Sequence, residues 1–489
     1  MAAKSTFALA YAIRPRVVAK YLGQIAVSLG GLTGVPAVVA LAYGDVSEAW
    51  RYATVTAVFV LLGAGFGRLP VTDRIQRNEA LVAIALAFIA GSLALAWPFT
   101  TVGETWIDAV FEAISAVTTT GLSTQSAPES LPRAFLFARS WAQWYGGLVI
   151  VVLALATLTA PGMNARRLAT FQMGPAEIVS GTRVWARQSL AIYLVLTLAG
   201  GVLIFSVEYD PFLVVIHTFS AVSTGGFSSL NASLAGFGSW WPAAAVTLVA
   251  FAGAVSFPLY HHVWQQGPGV LWRDSGLRTL VVFAAGSAIL LAFTLVLVDG
   301  RPWAEAAIHA PLLALSAQST SGFSSLTVAD LDPASKLVLI VTMFIGGDSG
   351  STAGGIKVLR LLLILRMFQL VIQRTVLASH VVLDTQIGGR KVDATEMQAV
   401  LAMALLYAAV VTVSWFVFLA WGFDPLDSLF EVVSATGTVG LSTGLTSPTL
   451  PAMLKLVLGV DMLMGRLEIV AVLILFYPRT WFGRREGTQ

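Results

Sequence analysis

The most constraining feature of this sequence is a decapeptide that occurs four times: SAVTTTGLST at 115–124, SAVSTGGFSS at 220–229, SAQSTSGFSS at 316–325 and SATGTVGLST at 434–443. Ser, Ala, Thr, Gly and Ser are shared at equivalent columns, and the residue after the glycine is always Leu or Phe. Each copy closes a short apolar segment, for example 107–117 and 425–435, far below the roughly 20 helical residues that cross a hydrocarbon core. Such a segment must enter the bilayer and return. Non-helical backbone at that depth survives only where protein or a water-filled cavity satisfies its N–H and C=O groups. Four re-entrant segments therefore predict a pore.

Composition agrees with a chain that lives in lipid, since 57% of the 489 residues are hydrophobic and 11% are charged. Long apolar runs predict helices over 21–43, 52–68, 79–98, 135–160, 187–207, 238–263, 277–298, 336–373 (interrupted), 396–421 and 450–478. The absence of cysteine removes disulfides, thiolate metal sites and a cysteine nucleophile. Basic residues cluster in alternate loops, at Arg74 and Arg77, Arg166, Arg167, Arg183 and Arg187, Arg273 and Arg278, Arg374, Arg390 and Lys391, and Arg479, Arg484 and Arg485. By the positive-inside tendency these loops and both termini are expected on the cytoplasmic side. The N-terminal Lys4, Arg14, Arg16 and Lys20 precede a long apolar run without a small-residue cleavage pattern, so no removable leader is expected. The other loops carry Asp45, Glu48, Glu104, Asp108, Glu208, Asp210, Asp299, Glu305, Asp424, Asp427 and Glu431. That acidic face either concentrates cations at a mouth or is ordinary solvated loop charge.

The residue types of the repeat suit an ion filter. A permeating cation exchanges its hydration shell for oxygens, which stacked backbone carbonyls supply without any charged side chain. Glycine at 121, 226, 322 and 440 permits positive φ and removes the Cβ that would keep four backbones from one axis. Thr119, Thr224, Thr320 and Thr438 offer hydroxyls to fix the loop or line the path. The candidate filter comprises Thr118, Thr119, Thr120 and Gly121; Ser223, Thr224, Gly225 and Gly226; Ser319, Thr320, Ser321 and Gly322; and Gly437, Thr438, Val439 and Gly440. Each preceding short helix would aim its negative end at the cavity. A single Ser-Thr-Gly turn is usually a plain loop, whereas four matched copies are not.

With these four loops, the glycine-rich break GGDSGSTAGGIK (346–357) and GRLE (465–468), the chain resembles the TrkH/KtrB superfamily of potassium transporters, in its TrkH-like branch. The resemblance covers nearly the whole chain. It implies an all-α integral membrane protein with four parallel M1-pore helix-M2 repeats around a pseudo-four-fold pore, plus two extra N-terminal transmembrane helices. The expected divisions are 1–75 for the extension and 76–170, 171–268, 269–385 and 386–489 for the repeats. The resemblance also implies a homodimer and a cytosolic TrkA-type partner ring, with nucleotide bound only by that partner and potassium as the permeating ion. Plant and fungal relatives with serine for the first filter glycine go with sodium transport, so four retained glycines favour potassium.

The break is read as a gate below the filter, formed by Gly346, Gly347, Asp348, Gly350, Gly354, Gly355 and Lys357, because such a run leaves the backbone several conformations. A kink or close helix packing is its simpler alternative. A phosphate-binding loop is rejected, since Ile356 separates Gly355 from Lys357 and no strand precedes it. Asp348 departs from the small neutral residue usual at that place in the family. Arg466, midway along an apolar run, is costly in lipid and is expected to face protein or the pore, as a barrier beside the break or as a packing residue. A pairing with Asp348 is one arrangement open to it.

His217, His261, His262, His309 and His380 form no ligand spacing, Asn231-Ala232-Ser233 reads as filter-flanking loop, and Trp50, Trp97, Trp240, Trp241, Trp421 and Trp481 sit where interfacial anchors belong. No covalently bound cofactor, nucleic-acid partner or enzymatic constellation is expected. An ion-coupled secondary transporter, moving K⁺ with H⁺ or Na⁺, is the alternative function. It would normally carry inverted repeats, whereas these run parallel.

Overall fold

The computed structural model describes residues 12–70, 75–158, 178–376, 386–387, 390–391 and 394–482. The basic residues Lys4, Arg74, Arg166, Arg167, Arg484 and Arg485, together with His380 and the boundaries at 170 and 385, lie outside them. The architecture is helical, with one addition to the all-α expectation, a two-residue antiparallel pair of β1 (Gln386–Ile387) and β2 (Arg390–Lys391).

Helices α1 (Pro15–Ala42), α2 (Val46–Gly67) and α3 (Arg77–Phe99) form the N-terminal extension and the first long helix of the repeats. α4 (Trp106–Val117) is the first short helix and α5 (Arg133–Leu158) follows it. α6 (Ile178–Phe205), α7 (Pro211–Val222), α8 (Trp240–Gly253) and α9 (Phe257–Gln266) make the second set. The third set comprises α10 (Ser275–Leu297), α11 (Trp303–Gln318), α12 (Pro333–Ile345) and α13 (Val358–Val376). The last comprises α14 (Ala394–Ala420), α15 (Pro425–Thr436), α16 (Ala452–Arg466), α17 (Val470–Phe476) and the single turn α18 (Pro478–Trp481). Among the described residues, six helices are long and apolar enough to cross a membrane, or seven if α8 and α9 count as one bent span. The expected break between α12 and α13 is present.

Two expected helices are not continuous. The run 238–263 breaks after Gly253 and turns by 88° into α9, with Pro258 in the first turn of the new helix, where a missing N–H costs nothing. The run 450–478 ends at Arg466 and resumes at Val470, with Glu468 and Ile469 in left-handed backbone (φ 59° and 50°). Several helix starts are set by an Asp-Pro pair. Asp210, Asp332 and Asp424 accept backbone N–H groups of their first turns, while proline supplies the fitting φ. Asp210 and Asp424 of the acidic face are thus helix caps, and Asp427 pairs with Lys336 at 2.9 Å.

Contacts divide the chain into two compact units. The first holds residues 1–114, 132–138 and 467–489. In it, α1 and α2 pack closely through Gly23 and Gly63, where an added Cβ would meet the other helix closer than 3.0 Å. Arg14 grips the buried Glu79 carboxylate through two nitrogens, at 2.8 and 2.9 Å. The Ile13 N–H donates to the Thr480 carbonyl at 2.9 Å, tying the two ends of this unit together. The second unit, residues 115–131 and 139–466, contains all four decapeptide loops and the glycine-rich break.

Candidate functional site

The four loops share one backbone path. In each, the N–H of the residue before the glycine returns to the carbonyl of the first Ser of the decapeptide: Thr120 to Ser115, Gly225 to Ser220, Ser321 to Ser316 and Val439 to Ser434, at 2.7–3.0 Å. The threonine N–H returns to the alanine carbonyl, Thr119 to Ala116, Thr224 to Ala221, Thr320 to Ala317 and Thr438 to Ala435. These bonds close each short helix with its threonine in left-handed conformation, φ 52°, 53°, 54° and 50°. A β-branched residue is rarely held there, and such strain persists only where the surroundings over-determine it. Three of the threonine methyls find their place against a glycine of the following long helix, Thr119 on Gly146, Thr224 on Gly253 and Thr438 on Gly465, 3.2–3.4 Å from the position of an added Cβ.

The glycines then bring the loops together in a ring. An added Cβ at Gly121 would meet the Gly225 carbonyl, at Gly226 that of Ser321, at Gly322 that of Val439 and at Gly440 that of Thr120, each closer than 3.0 Å. The sequence of neighbours runs from the first repeat to the fourth and returns to the first. All four glycines have positive φ, from 70° to 96°. The four glycines and the residues before them therefore form one closed circuit of backbone, and the other eight residues singled out in the sequence precede them in the same four loops. The Thr119 and Thr438 hydroxyls have no hydrogen-bond partner, although both residues are buried.

The break at 346–357 lies against this ring. Gly354 donates its N–H to the Thr320 hydroxyl at 2.7 Å, and a Cβ on Gly354 would meet the Gly437 carbonyl and the Thr438 hydroxyl. Thr352 donates its hydroxyl to Gly253 O at 2.8 Å, and Gln318 donates to Gly346 O. The loop thus touches loops or helices of the second, third and fourth repeats. Gly346, Gly350, Gly355 and Lys357 all have positive φ, and Lys357 donates its ammonium to Ala353 O within the loop.

Arg466 is buried, and its Nη1 donates to the Thr352 carbonyl at 2.7 Å, which places it beside the break. It does not pair with Asp348. That carboxylate lies over Gly276 at the start of α10, where an added Cβ would be 2.7 Å from Oδ2, and it accepts the Ser349 N–H at 2.7 Å. Arg466 follows Gly465, and the residues following the matching glycines of the other repeats are Gly147, Ala254 and Gly347. One arginine takes the place of three small residues.

Two sets of residues escaped the sequence reading. Gln143 of α5 reaches across to the second loop, donating to Gly225 O at 2.5 Å while its Oε1 accepts the Ser220 hydroxyl and the Phe227 N–H. Three residues before the first Ser, Glu431 accepts from Ser442, Thr443 and Thr446, and His217 meets Ser228 at 3.1 Å. The signal for the second set was the invariant final Ser column, whose partners vary too much in type to be read as one. Replacing Gln143 with leucine takes this partner from the Gly225 carbonyl and the buried Phe227 N–H, at about 1–3 kcal/mol each. We expect Gln143→Leu to fold with a lower unfolding midpoint than the parent chain, measured by thermal denaturation.

The family model for TrkH, described as a cation transport protein, matches residues 84–481. The chain belongs to the TrkH family. Among its relatives, the Trk system potassium uptake protein TrkH of Vibrio parahaemolyticus is 31% identical over 91% of this chain and 95% of its own. The Escherichia coli TrkH is 29% identical over 95% and 99%. An uncharacterized cation transporter of Methanocaldococcus jannaschii is 27% identical over 93% and 94%. The crystal structure of the potassium transporter TrkH from Vibrio parahaemolyticus superposes with a TM-score of 0.86 at 28% identity, covering 96% of this chain and all of that one. This TrkH-family chain is accordingly a multi-pass membrane transport protein and not an enzyme.

Proposed function

We propose that this chain takes up potassium ions through the ring of its four loops. The observation that carries the reading is the closed circuit in which each filter glycine lies against the carbonyl of the next repeat. Such a ring offers oxygens from four sides to a dehydrated cation, with the partner-free Thr119 and Thr438 hydroxyls adding polar lining. The potassium uptake proteins among the relatives support the choice of ion. The break at 346–357 acts as the gate beneath the ring, and Arg466 contributes a positive barrier there. Transport is channel-like, driven by the membrane potential at about 2.3 kcal/mol per charge per 100 mV. The protein sits in the bacterial cytoplasmic membrane as a homodimer with both termini inside. A cytosolic nucleotide-binding partner of TrkA type controls the gate, so the regulatory nucleotide binds there.

Expression in a bacterial strain stripped of its own potassium uptake systems, with that partner supplied, should restore growth at low external potassium. Correctly inserted protein that restores none would overturn the reading.

A further inference from the structure

The corner between α8 and α9 is bonded to the gate on one side and bare on the other. On the gate side, Asp348 donates its N–H to Ala254 O at 3.0 Å and Phe257 donates its N–H to Gly350 O at 3.1 Å. A single apolar cluster joins Val255 of the corner and Leu259 of α9 to Ile345 and Val358, the residues flanking the gate, and Val270 and Leu271 pack on it. Tyr260 secures the turn by donating its hydroxyl to Ala252 O at 2.7 Å.

On the other side, Trp264 is 83% exposed and Trp272, in the 3-10 turn Pro268–Arg273, is 82% exposed. Arg273 and Arg278 follow and are exposed. α9 leaves the axis of α8 by 88°, and the exposed tryptophans and arginines gather at its far end and in the stretch that follows. Tryptophan favours the headgroup level, and arginine beside it favours an anionic surface.

We propose that α9 and the turn after it form an interfacial element that binds anionic phospholipid of the surrounding bilayer and holds the gating loop in its closed position through the α8–α9 corner. The inference rests on the gate reading above for its second half only. A cytosolic protein is the competing occupant of the same face, but two exposed tryptophans with two exposed arginines beside them carry the apolar and positive groups that an anionic headgroup layer takes, so anionic lipid is the occupant argued for. Each arginine is expected to contribute roughly five-fold to the response to anionic lipid.

The full chain is placed in vesicles of phosphatidylcholine, alone or mixed with phosphatidylglycerol, and also in vesicles of acyl-brominated lipid. Trp264→Ala/Trp272→Ala removes two of the 14 tryptophans, and the emission that those two supply is obtained by difference. We expect brominated lipid to quench that emission. Closed-state K⁺ leak should fall several-fold when phosphatidylglycerol is added, and Arg273→Gln/Arg278→Gln should lose most of this dependence while retaining selectivity. Emission unquenched by brominated lipid, or shielded only when the cytosolic partner is added, would overturn the lipid assignment. An unchanged lipid response in the arginine variant would overturn the coupling. Quenching requires no ion flux, so it decides the interfacial half even if the chain carries no potassium.

Discussion

Gly121→Ser is expected to lower K⁺ over Na⁺ selectivity by roughly ten-fold or more, equivalent to about 1.4 kcal/mol. The residue has φ 90°, and an added Cβ would meet the Gly225 carbonyl of the next repeat closer than 3.0 Å. The new side chain must push that oxygen aside or move its own loop, and either change reshapes one wall of the ring. Left-handed backbone adds strain of about 1–3 kcal/mol for a residue with a Cβ. The same argument holds for Gly226, Gly322 and Gly440, because each meets its neighbour in the same way. Gly286→Ala in α10, with nothing within 4 Å, is the control and should leave selectivity unchanged. Reversal potentials across K⁺/Na⁺ gradients provide the measurement, and identical values for wild type and Gly121→Ser would remove Gly121 from the filter.

Arg466→Ala is expected to raise closed-state K⁺ flux by roughly thirty-fold. A fixed like charge about 8 Å away costs a cation about 2 kcal/mol at an effective dielectric near 20, which is that factor in rate. The substitution also releases the Thr352 carbonyl, which removes a tie on the proposed gate. Arg466→Lys separates the two contributions, since it keeps the charge and loses the planar donor. A small rise for lysine and a large one for alanine is the expected pattern. Because Asp348 sits over Gly276 and not beside Arg466, Asp348→Asn should add independently to Arg466→Ala. Normal closed-state flux in Arg466→Ala would dismiss the barrier.

The repeat made most of the site legible. Identical columns marked the four loops of the candidate site, and glycine at 121, 226, 322 and 440 has both the positive φ and the close carbonyl that its position implied. The glycine-rich break was visible because it interrupts a long apolar span. The break after Arg466 was not, since Leu467, Glu468 and Ile469 include neither glycine nor proline, and the left-handed backbone of Glu468 and Ile469 has no local signal in the sequence. The turn at Ala254–Ser256 was hidden by apolar residues that continue on both sides of Pro258. The left-handed threonines run against propensity, and the return of each N–H to its helix, with tertiary packing of three of the four methyls, holds them there. Gln143 acts across repeats, so nothing near it in the chain announces its partner 82 residues away.

The most direct test of the account is ion flux through the purified chain in liposomes, with K⁺ and Na⁺ gradients applied in turn and the cytosolic partner present. The account predicts K⁺ movement down its gradient with clear discrimination against Na⁺. A folded chain that moves neither ion, or moves both equally well, would contradict it.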